Sequence, residues 1–191
     1  SAAYHLIQKK MSVILLDAEA PMFGATGRNG GFCCLGGSKA SDAFLDQKFG
    51  KSERLLYRRA EAEAVALVDR LLKANQIDAD RHSDGETILA HRPKDAEFMM
   101  NDKHTIRENY GVDPVFHPKE ELLQRGFGGQ FHAAMTIPIG FALNPCKYAG
   151  GLLDAAVSFG LKVYGHSPVI KIKKNFDNFV LTTPDAKVRV K

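Results

Sequence analysis

The sequence predicts an α/β fold that joins an incomplete βαβ unit to a mixed region of helices and strands. The first observation is a helical stretch ending at Lys9 and Lys10, followed by an apolar run over residues 12–16 that Asp17 closes. Such a run is typical of a strand buried on both faces of a parallel sheet. The second observation is a strong helix start at Asn144 and Pro145, after which the chain returns to short strands.

The middle of the chain, residues 42–143, predicts alternating helices and strands. Helices are expected over residues 42–49, 53–74 and 94–109, with a strand over 86–91 and a short helix after Pro118. In the longest of these, Ser52 is the expected N-cap, and apolar residues at spacings of four and three predict one buried face. That face consists of Leu56, Ala60, Ala64, Leu67 and Leu71, with Arg54, Arg58 and Glu61 on the other side.

Composition and charge exclude several classes of protein. Hydrophobic residues make up 45% of the 191 residues and charged residues 25%, which predicts a packed core. No apolar run approaches the roughly 20 residues of a membrane span, so no membrane partner is expected. The net charge of +4 is mild, and the basic run near the end alternates with apolar residues, as in a strand with one solvated face. The basic run consists of Lys171, Lys173, Lys174, Lys187, Arg189 and Lys191. We therefore expect no nucleic-acid partner.

The cysteines and histidines carry no metal-binding pattern. The three cysteines, Cys33, Cys34 and Cys146, lack the spacing of a zinc site, and their odd number favours a reducing compartment, so we expect a cytoplasmic protein. Cys33 and Cys34 are interpreted as small apolar residues rather than redox groups. Among the seven histidines, His132 is the one expected to approach a substrate.

Both ends of the chain have the pattern of interrupted elements. The opening residues lack an initiator Met and have the pattern of a helix already under way, and the last five residues alternate as a strand would. A βαβ unit without its first strand leaves hydrogen-bonding groups at a sheet edge. We therefore expect this chain to be a fragment of a longer protein, inactive by itself.

A carboxylate and a glycine-rich segment together indicate a nucleotide-type cofactor. In dinucleotide-binding βαβ units, an acid at the end of the second strand binds the ribose hydroxyls, which is the position of Asp17. A few residues later the chain reads Gly24-Ala25-Thr26-Gly27-Arg28-Asn29-Gly30-Gly31. A loop with this many glycines can direct successive N–H groups at an anion such as a pyrophosphate.

These two segments resemble the FAD-dependent amine and amino-acid oxidases, a family that includes D-amino-acid, glycine and γ-glutamylputrescine oxidases. The last of these branches is the most similar. The resemblance implies that the segment from Ala25 runs along the FAD pyrophosphate and ribityl chain to the flavin ring. Asp17 stands where the family more often has Glu, and Thr26 where it has Ser. The implied cofactor-binding residues are Asp17, Ala25, Thr26, Arg28, Asn29, Gly30 and Gly31.

A third segment extends the resemblance to the end of the chain. Asn144-Pro145, the helix after it and the strands from Leu161 resemble the family's return to its FAD-binding domain. There a valine backbone pairs with adenine, which makes Val169 the last implied cofactor residue. The resemblance implies a partial Rossmann-like FAD-binding domain over residues 1–41, lacking the first strand and the GxGxxG turn. An α+β substrate-side insertion then covers 42–143, and the FAD-binding domain resumes over 144–191.

The implied activity is oxidation of a CH–NH group in an amine or amino acid by hydride transfer to flavin. The product imine then hydrolyses. The residues identify no catalytic acid or base, and the oligomeric state is not predicted. Two alternatives stay open at this stage: a fragment of an NAD-dependent dehydrogenase, since a βαβ unit with a strand-end acid also serves NAD, or a non-catalytic folded remnant.

Overall fold

The computed structural model describes residues 1–37 and 40–191, which divide into two compact units. The first unit contains residues 1–31, 71–80 and 144–191, and the second contains residues 32–70 and 81–143. The helices are α1 (Ala2–Gln8), α2 (Ala25–Arg28), α3 (Asp42–Phe49), α4 (Lys51–Ala74), α5 (Pro93–Tyr110), α6 (Lys119–Leu122) and α7 (Pro145–Ser158). The strands are β1 (Ile14–Leu16), β2 (Phe32–Cys34), β3 (Glu86–Ala90), β4 (Val115–Pro118), β5 (Ala133–Ile137), β6 (Gly140–Ala142), β7 (Lys162–Tyr164), β8 (Lys171–Asn175), β9 (Asn178–Thr182) and β10 (Lys187–Val190).

The first unit contains the parallel strand pair that the apolar runs predicted. Strands β1 and β7 pair in parallel, with Ile14 opposite Lys162 and Leu16 opposite Tyr164. Helix α7 connects toward β7 and buries Leu152 and Ala156. Its start follows from local chemistry, because the Asn144 side chain accepts a hydrogen bond from the Lys147 N–H. The α/β class predicted from the sequence is confirmed.

Strands β8, β9 and β10 form an antiparallel meander in the same unit. Its order is β10-β9-β8, so β9 pairs with both outer strands. All five residues of β8 are exposed, including Ile172, so both faces of this strand are solvated rather than the one face that the alternating pattern predicted. The strand starts at Lys171.

The second unit is built on an antiparallel sheet with the order β3-β5-β4. Helix α5 packs on this sheet and places Ile106 in a buried cluster with Met135 and Ile137 of β5. Strand β4 was not predicted, because it is short and ends in a proline. A separate antiparallel pair joins β2 and β6, with Cys33 opposite Phe141.

A polar chain crosses the three-stranded sheet of this unit. The hydroxyls of Thr87 on β3 and Thr136 on β5 lie 2.8 Å apart. The Thr136 hydroxyl also lies 2.9 Å from Nε2 of His117 on β4. His117 is buried, and its Nδ1 has no hydrogen-bond partner in residues 1–37 and 40–191. Burial, together with the charge of Arg125, lowers the pKa of His117 and keeps the imidazole neutral near pH 7.

The structure corrects the buried face that was predicted for helix α4. The helix begins at Lys51, so Ser52 lies within it and is not the N-cap. Leu56 of the predicted buried face is 54% exposed, whereas Arg54 is 4% exposed and Arg58 is buried as well. The first half of the helix therefore buries a cationic face, which apolar periodicity cannot indicate.

Carboxylates from neighbouring helices explain why these two arginines are buried. Arg54 Nε donates to Asp46 Oδ1 at 2.7 Å, and Arg58 Nη2 donates to Asp42 Oδ1, also at 2.7 Å. Although burial acts to raise the pKa of Asp42, hydrogen bonds from Asn109 and Arg58 lower it, so this carboxylate stays charged. Because each charge has hydrogen-bonded partners, the desolvation of the guanidinium groups is compensated.

Within the described part of the chain, no helix is long and apolar enough to cross a membrane. The same part contains no cluster of three His, Cys, Asp or Glu side chains suited to a metal ion.

Candidate functional site

Asp17 lies at the carboxyl end of β1, where the chain leaves the parallel pair. Its N–H donates to Tyr164 O at 2.9 Å, and its carbonyl accepts from Ser167 N at 2.8 Å. Its carboxylate oxygen Oδ1 accepts from Glu19 N at 3.0 Å, which fixes the side chain at the strand end. Ligands of open α/β sheets bind outside the carboxyl ends of parallel strands, so this is the expected position for an acid that contacts a cofactor.

Asp17 and Thr26 line the same cavity, of about 410 Å³. A volume of this size falls within the range of small-molecule sites. Its walls come from α1, β1, α2 and α7, and most of them are apolar, so the carboxylate and the hydroxyl are prominent polar groups. The remaining lining residues are Ser1, Ala3, Tyr4, Leu15, Pro21, Met22, Tyr148, Ala149, Leu152, Leu153, Ala156 and Leu161.

A larger groove of about 790 Å³ lies along the other side of α7. It includes Asn75, Asp78, Lys147 and Phe159, and none of the residues predicted to bind the cofactor. The helix therefore divides two concave surfaces, and only the smaller one contains predicted site residues.

The glycine-rich segment forms a short helix rather than the open loop that the sequence suggested. Residues Ala25–Arg28 make one helical turn, which Asn29 closes. The Asn29 Nδ2 donates to the carbonyls of Ala25 and Thr26, both at 3.0 Å, and its Oδ1 accepts from Gly31 N at 2.9 Å. Gly31 then adopts a positive φ of 73°, which favours glycine. Asn29 therefore shapes the segment through its side chain, and a direct contact with the cofactor stays a prediction.

Arg28 is held by an aromatic ring next to the same segment. Its guanidinium carbon lies 4.1 Å from the centre of the Phe23 ring, a distance that allows a cation–π interaction. The contact fixes a positive charge at the end of α2. Gly30, by contrast, is exposed.

Val169 lies just before the meander, close to the end of β1. It is 40% exposed, and the first ladder bond of this region is made by the next residue, where Ile170 N donates to Thr182 O. The hydrogen bond from Ser167 to Asp17 lies two residues earlier. The structure thus brings Val169 and Asp17 to one end of the parallel pair, and the adenine contact stays a prediction.

A contact that the sequence did not indicate anchors α2 to the start of α7. The Cys146 thiol donates to Gly27 O at 2.9 Å. A Cβ at Gly27 would lie 2.5 Å from Met22 O and 3.3 Å from the Cys146 sulfur, so a side chain does not fit there. The two residues are 119 positions apart, and no local pattern pairs them.

Cys33 and Cys34 belong to the second unit and are free, half-buried thiols in β2. Burial, together with the nearby charges of Cys34 and Asp69, raises the pKa of Cys33 to about 11. A thiol with a raised pKa is mostly protonated near pH 7 and is a weak nucleophile. His132, also in this unit, is half-buried, and its N–H donates to Ala90 O at 2.9 Å.

The first unit therefore has features that fit an adenosine-containing cofactor. An oriented carboxylate and a hydroxyl line one cavity, and the turn beside it is fixed by Asn29 and Cys146. A ribose offers hydroxyl donors to a carboxylate, which matches the donor–acceptor requirement of Asp17.

Comparison with known proteins agrees with this geometry. The family model described as "DAO: FAD dependent oxidoreductase" matches residues 1–190. Gamma-glutamylputrescine oxidoreductase of Escherichia coli is 26% identical over 174 residues, which cover 91% of this chain and 40% of that protein. The chain thus spans about 40% of the length of the curated relatives that it matches.

Two solved structures show the same fold. Glycine oxidase from Geobacillus kaustophilus superposes with a TM-score of 0.75 at 22% identity, covering 97% of this chain and 48% of that one. The FAD-bound L-α-glycerophosphate oxidase of Mycoplasma pneumoniae gives a TM-score of 0.72 at 18% identity, covering 96% of this chain and 46% of that one. With the family model matched over nearly every residue, the chain belongs to the DAO family of FAD-dependent oxidoreductases.

Proposed function

We propose that the full-length protein oxidises the CH–NH group of an amine or amino acid with FAD, and that the first unit of this chain contributes to FAD binding. The observation that carries the proposal is that Asp17 and Thr26 line one cavity at the carboxyl end of a parallel strand. The family match supplies the cofactor, and the names of two relatives, a glutamylputrescine oxidoreductase and a glycine oxidase, support a nitrogen-containing substrate.

When bound, FAD would accept a hydride from the carbon beside the substrate nitrogen, which leaves an imine that water hydrolyses to a carbonyl compound and ammonia or an amine. The residues of this chain would bind the cofactor and orient it. The Asp17 carboxylate would accept hydrogen bonds from ribose hydroxyls, and its existing bond to Glu19 reduces the conformational freedom lost on binding.

The segment around α2 would hold the negatively charged and redox-active parts of the cofactor. Backbone N–H groups and the Thr26 hydroxyl are donors for a pyrophosphate. Arg28, held over Phe23, would place a positive charge where it stabilises an anionic group. We assign Ala25 and Gly30, which are exposed, and Gly31, which is buried, to the same cofactor-binding segment because they adjoin these donors.

The family match does not support the alternative of an NAD-dependent dehydrogenase, since the matching model describes FAD-dependent enzymes. A cytoplasmic location, inferred from cysteine usage, is part of the same proposal. The assignment of residues 42–143 to the substrate side also remains a proposal.

The first experiment measures FAD binding. The full-length protein is purified without added cofactor, its absorbance spectrum is recorded, and apoprotein is titrated with FAD. Replacing Asp17 by Ala removes a charged hydrogen-bond acceptor and should weaken FAD binding by about 10- to 100-fold. Asp17→Glu should retain most of the affinity, and Asp102→Asn, an exposed change on α5, is the control.

The second experiment identifies the substrate class. Amines and amino acids, including glycine and γ-glutamylputrescine, are added anaerobically while the flavin absorbance is followed, so the electron acceptor does not matter. L-α-glycerophosphate is the matched compound without nitrogen. Bleaching by an amine supports the proposal. Bleaching by glycerophosphate alone would overturn the amine assignment, and a colourless protein that takes up no FAD would overturn the flavoenzyme assignment.

A further inference from the structure

The net charge of the chain is concentrated in the meander β8–β10. Residues 169–191 contain six of the 26 Lys and Arg residues and two of the 22 Asp and Glu residues. Their net charge equals the +4 of the whole chain, so the remaining charged residues balance. This local excess is a property of one small sheet rather than of the protein as a whole.

The strand register gathers part of this charge at one end of the sheet. Lys173 of β8 and Arg189 of β10 both lie opposite Val180 of the central strand. Both outer strands run antiparallel to β9, so this end of the sheet is also where β8 turns into β9. Lys174 follows directly, opposite Phe179.

An exposed aromatic residue stands in that turn. Phe176 is 93% exposed, and its φ of 50° lies in the left-handed region, which disfavours bulky residues. Turns of this kind ordinarily use Gly, Asn or Asp. The Phe176 ring is thus held in solvent at a conformational cost, next to the cations of the adjoining strands. We call Lys173, Lys174, Phe176 and Arg189 the meander tip.

The three cations of the meander tip have no acidic partner in the described residues. Their backbones pair within the sheet, but none of their side chains takes part in a hydrogen bond or an ion pair with the described residues. Asp177, next to Phe176, is exposed and is the nearest acid in the sequence. The tip thus combines uncompensated positive charge with an apolar group that protrudes beyond it.

We propose that the meander tip docks the protein onto an anionic phospholipid membrane. Phosphate headgroups lie directly above hydrocarbon, so one surface satisfies both the cations and the aromatic ring. Single-stranded nucleic acid is a poorer match, because successive bases stack on aromatic rings that line a groove, whereas Phe176 protrudes from a turn and Val180 lies between Lys173 and Arg189. The proposed contact is peripheral and departs from the expectation of no membrane partner, which was based on the lack of an apolar run long enough to span. It is independent of the proposed flavin chemistry.

The test is co-sedimentation of the full-length protein with vesicles of phosphatidylcholine, alone or mixed with phosphatidylglycerol. Wild type should bind the anionic vesicles and be released by high salt. Each removed cation should lower the partition constant about fivefold, so Lys173→Gln with Lys174→Gln should lower it roughly 25-fold. Phe176→Ser should weaken binding by at least about threefold at unchanged charge.

The matched control replaces Lys94 and Lys103, two exposed lysines of α5, by Gln. It removes the same charge and should bind anionic vesicles as wild type does. The proposal is overturned if wild type does not bind anionic vesicles, if both double variants lose binding equally, or if neutral vesicles bind as well. Retention on single-stranded RNA without vesicle binding would assign the meander tip to nucleic acid instead. The flavin spectrum of each variant reports separately on the proposed function.

Discussion

Gly27→Ala tests whether the geometry of α2 depends on close backbone contact. The new Cβ would lie 2.5 Å from Met22 O, so one of the two must move by nearly 1 Å to reach ordinary contact. The Cys146 sulfur lies 3.3 Å from the same point, so the new Cβ cannot move away from Met22 O in that direction. Overpacking of this kind costs about 1–3 kcal/mol. Alanine favours helix over glycine by about 1 kcal/mol, which offsets part of that cost.

Because a backbone oxygen and a sulfur both crowd the new Cβ, we take the upper part of the overpacking range, about 2–3 kcal/mol. After the helix gain is subtracted, Gly27→Ala should lower the free energy of unfolding by about 1–2 kcal/mol, which corresponds to a fall in Tm of roughly 2–8 °C. Flavin retention should fall as well, because α2 carries the proposed donors. Thermal denaturation and the flavin-to-protein absorbance ratio measure the two effects. Gly128→Ala is the control, since a Cβ there meets no atom within 4 Å. An unchanged Tm together with unchanged flavin content in Gly27→Ala would refute the reasoning.

Three further predictions concern the second unit. Arg54→Ala should destabilise the protein by about 1–3 kcal/mol in urea unfolding, because it leaves the buried Asn109 Oδ1 without its donor and the half-exposed Asp46 without its cation. Equal stability would show that these contacts contribute nothing. The pKa of His117 is lower in the folded state than its unfolded value of about 6.5. The free energy of unfolding should therefore be highest above pH 6.5 and fall below it, by at most about 1.4 kcal/mol per pH unit, and His117→Gln should flatten this fall. Cys33, with its pKa raised to about 11, should react slowly with iodoacetamide near pH 8 and faster as the pH approaches 11. Peptide mass spectrometry measures the extent of labelling, and rapid labelling of Cys33 near pH 8 would contradict its buried setting.

Local rules predicted the elements that depend on neighbouring residues. Helix α3, expected over residues 42–49, is an example, since the Ser41 side chain accepts from Phe44 N and Gly50 follows the last residue of the helix. The cap of α7 and the apolar run of β1 were predictable for the same reason. Each depends on atoms within about one helical turn or on a short run of apolar side chains.

Features that depend on distant residues were not predictable. The burial of Arg54 requires Glu108 of α5, and the anchoring of α2 requires a thiol 119 residues away. Apolar periodicity assumes that polar groups face solvent, and it fails where carboxylates from other helices neutralise a buried cation. The motif identified Asp17 and Thr26 one by one, whereas the cavity that they line arises only in the folded chain.

The chain of hydroxyls and imidazole across β3, β5 and β4 also specifies strand alignment. Sliding β5 by one residue would turn Thr136 to the opposite face of the sheet, away from both of its partners, because side chains alternate along a strand. Sliding it by two would keep the alternation, and the small side chains of Ala133 and Ala134 would tolerate the move. Thr136 would then leave both His117 and Thr87, and a buried imidazole would lose its hydrogen bond. Three polar side chains thus exclude the competing alignment that apolar residues alone would permit.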